Sequence, residues 1–285
     1  MDQRIINLFD EYTHKPLKRE DFIKQLIKLT GGMAAAMAIL PMLESNYARA
    51  ATIQPLQEGL TEENITYPGD GTTMKGYLVR PDTAGKRGAV VVIHENRGLT
   101  PHIKDVTRRA AKAGYLALAP DALSPFGGTP ANEDEARGLF GKLDAAKNLH
   151  NFLNAFDYLQ GRSEYNGKAG CVGFCWGGAL ANQLAVHQPD LKAAVPFYGM
   201  QPDAADVPKI RAAVQLHYGE KDDRVNAGIP AYEAALKAAG IKYELYIYEG
   251  TQHAFHNDTS AARYNEAAAK LAWERTLRLF KETLS

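Results

Sequence analysis

The chain has 285 residues, of which 45% are hydrophobic and 23% are charged, and its 33 Lys and Arg balance its 33 Asp and Glu. This length and apolar content fit one large α/β domain with additional segments, and they exclude a chain that is disordered throughout. The neutral balance gives no excess of positive charge for nucleic acid or an anionic membrane surface, so neither is an expected partner.

The first fifty residues follow the order of an export signal. Basic residues at positions 18 and 19 precede an apolar run, 31–43, and the small residues Ala48-Arg49-Ala50 come after it. The run is shorter than the roughly 20 apolar residues of a membrane span, and KREDFIK at 18–24 resembles a twin-arginine signal with Lys18 in place of the first Arg. We therefore expect residues 1–50 to direct the chain to the periplasm, with no membrane span left in the mature chain. The alternative is a cytoplasmic protein in which this segment is a helical hairpin packed on the body or on a partner subunit, as in a homodimer.

Residues 51–285 have the pattern of a single α/β domain. A predicted hairpin, 65–67 with 74–79, precedes the apolar run 89–93, which lacks alternation and is typical of a strand buried on both faces. Strands and helices then alternate, which predicts a mostly parallel sheet of about eight strands with helices on both faces. The later predicted strands are 115–119, 169–174, 193–197, 213–218 and 243–248, and the predicted helices are 103–113, 145–159, 178–186, 231–239 and 261–280.

A candidate nucleophile lies in the sequence Gly173-Phe174-Cys175-Trp176-Gly177, between a predicted strand and a predicted helix. This is the G-x-nucleophile-x-G turn, with Cys in place of Ser. The turn strains its central residue and brings neighbouring chain close, so it needs glycine on both sides. The Trp176 backbone N–H, at the start of the helix, is a predicted oxyanion donor. The alternative is a glycine-rich turn around a structural cysteine.

Chain order selects the residues that would activate Cys175. In this architecture the acid follows a later strand and the histidine follows the last strand, which favours Asp222 and His253. Asp223 and His256 are the rivals, of which Asp223 is more typical of a solvated turn carboxylate. Other histidines, His14 among them, lie at unsuitable places in the chain.

The loop after the strand 89–93 is the expected source of a second oxyanion donor, the Asn96 backbone N–H. His94 is expected to orient this loop. Glu95 has two interpretations that the sequence does not separate: control of the thiol proton, or a salt bridge to Arg97 or another cation.

The stretches VVVIHENRGL, YLALAPD, GFCWGG, GEKDDRV and TQHAF together resemble the dienelactone hydrolase (carboxymethylenebutenolidase) family of the α/β-hydrolases, over roughly residues 60–280. The resemblance implies a triad of Cys175, His253 and Asp222, and oxyanion donation from the Trp176 and Asn96 amides. It also implies that Glu95 holds the resting thiol and takes its proton when substrate arrives.

Two positions depart from the family's pattern. Well-studied members carry one arginine after the A-P-D stretch and another four residues after the histidine, and both hold the substrate carboxylate; here Pro125 is near the first position and Asn257 is at the second. A neutral group does not replace a bidentate guanidinium. Arg97, Arg137 or Arg263 would have to approach from elsewhere if an anionic lactone is to be bound.

The sequence therefore predicts a cysteine-nucleophile hydrolase of small esters or lactones that needs no cofactor and no metal. A non-catalytic scaffold on the same fold, an acyltransferase and a carbon–carbon hydrolase remain alternatives. The segment 124–140 is expected to line the pocket or act as a lid, unless it is an ordinary connection. No disulfide is expected between Cys171 and Cys175, because four residues of strand separate them by about 13 Å.

Overall fold

A computed structural model describes residues 1–46 and 54–285. Its centre is an eight-stranded sheet of order β1-β2-β4-β3-β5-β6-β7-β8. The first two pairings, β1 with β2 and β2 with β4, are antiparallel, and all the others are parallel. The strands are β1 (Leu60–Pro68), β2 (Thr73–Pro81), β3 (Arg87–Ile93), β4 (Leu116–Asp121), β5 (Tyr165–Phe174), β6 (Ala193–Phe197), β7 (Ala213–Gly219) and β8 (Tyr243–Tyr248).

Helices cover both faces of this sheet, which confirms the predicted α/β-hydrolase architecture. They are α4 (Pro101–Lys112), α5 (Glu133–Phe140), α6 (Ala145–Gln160), α7 (Trp176–His187), α8 (Asp223–Asn226), α9 (Ile229–Ala238) and α10 (Glu266–Leu284). Successive residues of β3 alternate between two apolar layers. Val91 packs with the layer that includes residues of α6, α7 and α9, and Val90 packs with the layer that includes residues of α4 and α10. The predicted run 89–93 is accordingly buried throughout.

Two connections differ from the predicted elements. The last helix was expected from residue 261 but begins at Glu266, where the Asn265 side chain accepts from the Ala268 N–H as an N-cap. The residues between β8 and this helix are therefore a loop of turns that carries His253. Segment 124–140 contains a 3₁₀ turn, Ser124–Phe126, and the short helix α5. Both cysteines are free, as predicted.

The N-terminal residues form three helices, which we call the arm: α1 (Gln3–His14), α2 (Arg19–Thr30) and α3 (Met33–Leu43). The arm has an apolar cluster of its own, in which residues of all three helices, such as Phe9, Phe22 and Leu40, contact one another and Ala262 of the body. The backbone adds two bonds to the body, Asn46 N–H to the Thr259 carbonyl (2.8 Å) and Ala262 N–H to the Met42 carbonyl (3.1 Å). The arm is thus packed on the α/β domain, in the arrangement that the helical alternative describes.

Export of the chain stays a prediction, because its cleavage site at Ala48-Arg49-Ala50 and the domain boundary at residue 50 lie outside the described residues. Within the described ranges, 1–46 and 54–285, no single helix has both the length and the apolar character to cross a membrane. α2 and α3 together reach that length and hydropathy, but the chain bends by 115° between them.

Deletion of residues 1–50 is expected to lower the thermal unfolding midpoint by on the order of 5 °C, because the faces of the body that the arm covers become exposed. Differential scanning fluorimetry of the full and shortened chains checks this, and equal midpoints would contradict it. Intact-mass measurement of the protein from the periplasm and cytoplasm of a bacterial host separately tests whether the segment is removed on export.

Candidate active site

Cys175 lies on a strained turn between β5 and α7. Its φ is +55°, in the left-handed region that residues with a side chain rarely adopt. A methyl group on Gly173 would collide with the Gly177 carbonyl, and one on Gly177 would lie 2.5 Å from the backbone oxygens of Ile93 and His94. Only glycine fits at both positions, as the sequence pattern predicts. The turn holds Cys175 at the carboxyl edge of the sheet.

The structure brings Asp222 and His253 together beside this cysteine. Asp222 follows β7 and is 3% exposed, and its Oδ2 lies 2.5 Å from His253 Nδ1. Asp223 begins α8 and is exposed. His253 Nε2 is buried, with no hydrogen-bond partner among the described residues, and a ring nitrogen of His253 lies within 4.8 Å of Cys175 Sγ. His256 instead stacks on Phe174, 5.0 Å between ring centroids, and makes no such pair.

A second imidazole also reaches the thiol, contrary to the expectation from its place in the chain. His14 is the last residue of α1, and its Nε2 lies 3.1 Å from Cys175 Sγ. Its Nδ1 lies 2.9 Å from the Asp10 carbonyl oxygen and 3.1 Å from Asp10 Oδ1. The rings of His14 and His253 meet edge to face, 4.7 Å apart. Cys175 therefore lies between two histidines, each backed by a carboxylate.

This arrangement favours the charged forms of the thiol and of both imidazoles. Burial would raise the pKa of Cys175, but the positive charges of His14 and then His253 lower that pKa to about 6. Burial opposes the charged forms of His14 and His253, yet the pKa of each is raised, mainly by the Cys175 thiolate for His14 and by Asp222 for His253. By contrast, burial raises the pKa of the Cys171 thiol to about 12. Only Cys175 is a thiolate near neutral pH.

The two predicted oxyanion donors border the same cavity as Cys175. Trp176 is the first residue of α7, where backbone N–H groups have no partner within the helix. Asn96 follows β3, and its side-chain amide donates to the Thr13 carbonyl of the arm (2.8 Å). That bond fixes the loop that carries the Asn96 backbone N–H, whose role as a donor stays a prediction.

His94 fixes the start of this loop, as expected. Its Nε2 accepts from the Ala122 N–H (3.0 Å), which leaves the proton on Nδ1 to be donated to the Glu95 carbonyl (2.7 Å). Its ring stacks on Trp176, at 5.6 Å between centroids and an interplanar angle of 11°. Burial lowers the pKa of His94 and keeps it neutral.

Glu95 is paired neither with the thiol nor with Arg97, but with Asn257. Its Oε2 accepts from Asn257 Nδ2 at 2.6 Å, while its Oε1 is buried and has no hydrogen-bond partner among the described residues. Arg97 pairs with Glu133 instead (3.5 Å). In this structure the thiol is thus held by His14, and the role of Glu95 toward the thiol proton stays a prediction.

Cys175 opens into a cavity of about 800 Å³. One wall is the end of α1 with residues 15–18, and another is α5, which contributes Arg137 and Phe140. The α5 part of segment 124–140 therefore lines the pocket, as one of the two interpretations holds, whereas Pro125 and Phe126 line a different cavity. Within the described part of the chain, one group of side chains has the spacing of a metal site, namely Cys175 Sγ with a ring nitrogen each of His14 and His253, all within 4.8 Å of one another.

The α/β domain is similar to several known proteins. The model of the Dienelactone hydrolase family matches residues 74–284. The chain belongs to this family. A protein of Salmonella typhimurium named "Putative carboxymethylenebutenolidase" is 32% identical over 250 residues, 82% of this chain and 92% of that protein. "Putative hydrolase fragment YghX" of Escherichia coli is 50% identical over 113 residues, 38% of this chain and 96% of that fragment.

A solved structure of this family has the same fold. The crystal structure of a "Putative Dienelactone Hydrolase" from Klebsiella pneumoniae superposes with a TM-score of 0.71 at 31% identity, covering 78% of this chain and 98% of that one. The protein is therefore a dienelactone hydrolase-like hydrolase. The stretch matched by the family model contains Glu95, Cys175, Asp222 and His253, whereas His14 lies outside it.

Proposed function

We propose that this hydrolase cleaves small carboxylic esters or lactones, with Cys175 as the nucleophile of an acyl-enzyme mechanism. The observation that carries the proposal is the strained Cys175 turn beside an imidazole that is bonded to the buried Asp222, at the edge of a cavity large enough for a small organic substrate. A purely structural cysteine requires neither the strain nor the imidazole.

The mechanism follows from the positions of these groups. The Cys175 thiolate attacks the carbonyl carbon, and the resulting oxyanion accepts hydrogen bonds from the Trp176 and Asn96 backbone N–H groups. His253 Nε2 gives its proton to the leaving alkoxide and later takes one from the water that hydrolyses the thioester. Asp222 keeps the His253 ring in the orientation that both transfers need.

The charges around the cavity favour a neutral substrate. Pro125, near the position of one expected arginine, lines a different cavity, and Asn257, at the position of the other, is bonded to Glu95. Four cations line the main cavity, Lys15, Lys18, Arg137 and Arg224. Lys15 pairs with Glu11 (3.0 Å), and both arginines are engaged by the arm. Arg137 donates to the Tyr12 carbonyl, and Arg224 pairs with Asp10 (3.4 Å).

A neutral short-chain ester should therefore be hydrolysed with a kcat/KM at least equal to that of a related anionic lactone. A carboxylate that enters the cavity without a bidentate guanidinium to bind it loses hydration worth several kcal/mol. A panel of p-nitrophenyl esters of increasing acyl length, with matched lactones that have and lack a carboxylate, measures this. A clear preference for the carboxylate-bearing lactones would show that a cation such as Arg137 leaves its present partner to bind substrate.

A further inference from the structure

The C-terminal turn of α1 has contacts that a merely covering segment does not need. Besides the contact of His14 with the thiol, the arm accepts two hydrogen bonds from the body. The Asn96 side chain donates to the Thr13 carbonyl, and the Arg137 guanidinium donates to the Tyr12 carbonyl. Gln3, at the other end of α1, exchanges two side-chain hydrogen bonds with Gln252, the neighbour of His253 (2.8 and 2.7 Å). Both ends of α1 are thus fixed to loops that carry candidate catalytic residues.

We propose that the arm is part of the active site and that His14 is a catalytic residue, whose imidazolium holds the Cys175 thiolate in the free enzyme. This inference rests on the proposed role of Cys175 as the nucleophile. It assigns to His14 the task that a carboxylate, Glu95, would otherwise perform from the opposite loop.

The environment of His14 suits a permanently charged imidazole. Asp10, one turn earlier, lies 3.1 Å from Nδ1, and the ring is at the C-terminal end of α1, where the helix dipole favours a cation. Its side chain is 13% exposed, so water weakens its interaction with the sulfur less than at the surface. Nε2 is left to face Sγ at 3.1 Å.

Glu95 is engaged by other groups, which leaves His14 to hold the thiolate. Asn257 holds one Glu95 oxygen at 2.6 Å, and Tyr198, whose pKa burial and the nearby Glu95 charge raise well above its usual range, faces the same carboxylate. Of the titratable groups, His14, His253 and Tyr198 interact with the thiol, with Asp10 and Asp222 behind the two imidazoles and Glu95 beside Tyr198. The other charged groups that line the cavities bordered by Cys175 are Lys15, Lys18, Arg97, Glu133, Asp134, Arg137, Arg224 and Arg263.

Two imidazoles allow the stabilisation of the thiolate, by His14, to be separated from proton transfer, by His253. At rest, His14 and His253 are both protonated and Cys175 is a thiolate. When the S–C bond forms, the carbonyl electron pair moves to the oxyanion, and when the C–O bond breaks the alkoxide takes its proton from His253. Water then attacks the thioester and returns a proton to His253, and the C–S bond breaks to restore the thiolate beside His14. His14 keeps its proton throughout, and the net reaction is ester plus water to acid plus alcohol.

The experiment is to replace His14 by Ala and by Gln in the full chain, whose retention of residues 1–50 is checked by intact mass. The rate of iodoacetamide alkylation of Cys175 is measured against pH, together with kcat for an activated ester. In the parent protein the alkylation rate should rise through about pH 6, the pKa of Cys175. In both variants this rise should move up by at least about one pH unit toward the ordinary thiol range near 8.5. kcat at pH 7 should fall about tenfold or more in H14A, and added imidazole should restore part of it.

His187→Ala is the matched control. His187 is likewise the last residue of a helix, α7, with its Nδ1 2.9 Å from the carbonyl four residues earlier, but it does not touch the site. The His187→Ala variant should leave the alkylation profile and kcat unchanged. An unshifted profile in both His14 variants, or a rise in kcat on removing the imidazole, would overturn the proposal, the latter by showing that the arm only blocks the pocket. Alkylation measures the state of the thiol without turnover, so it tests the role of His14 separately from the proposed function. The proposed function would fail if the Cys175→Ala variant remained active.

Discussion

Replacing Cys175 by Ala is expected to reduce the turnover of an activated ester by about 10⁴-fold or more, because the variant has no group that can form the acyl-enzyme. The loss should be in kcat, since the cavity, the oxyanion amides and both imidazoles remain. The measurement is steady-state hydrolysis of a p-nitrophenyl ester, with circular dichroism to show that the fold is retained.

The second cysteine provides the matched control. Cys171 lies on β5, four residues before Cys175, and is fully buried. With its pKa raised to about 12 by that burial, it cannot supply a thiolate at neutral pH. Cys171→Ala should therefore keep at least about a tenth of the activity and cost stability on the order of 1 kcal/mol for the small cavity. Equal losses of activity in both folded variants would show that Cys175 is not the nucleophile.

The body of the fold could be predicted from the sequence because its signals are local. The run 89–93 has no polar residue to place on a solvent face, and β3 is indeed buried on both faces. The turn around Cys175 was predictable for the same reason: the glycines at 173 and 177 stand where the structure allows no side chain. The choice of Asp222 over Asp223 also agrees with the structure, which buries the first and exposes the second.

The contribution of the arm could not be predicted by the same route. His14 is 161 residues from Cys175 in sequence, and the chain-order rule for the α/β-hydrolase fold concerns only residues that follow the nucleophile. A local signal did exist, because apolar residues at 5, 8, 9 and 12 have the spacing of one face of a helix that ends at His14. The same residues also fit the polar start of an export signal, so the pattern alone does not place His14 in the site. The hydrogen bond of Glu95 could not be predicted either, because its partner, Asn257, lies 162 residues away in the sequence.

Replacing Asp222 by Asn should reduce kcat/KM by about 10³ to 10⁴-fold. The amide can still hydrogen-bond His253 Nδ1, but it neither enforces the correct tautomer nor compensates the charge of the imidazolium. Burial lowers the pKa of His253, and the Asp222 charge is the largest effect that opposes it. Without that charge the pKa of His253 falls, and the imidazolium that must protonate the leaving alkoxide is lost at a lower pH than in the parent protein.

The same substitution should also act on the thiol, which distinguishes it from a change in His253 alone. The His253 charge is, after that of His14, the largest effect that lowers the pKa of Cys175, so in D222N the pH at which alkylation begins should move upward from about 6. Asp223→Asn is the matched control: this carboxylate is exposed, and His253 Nδ1 is bonded to Asp222 instead, so its removal should change kcat/KM by less than about threefold. If D223N were the more damaging of the two, the orienting acid would have to be assigned one residue later, to the start of α8.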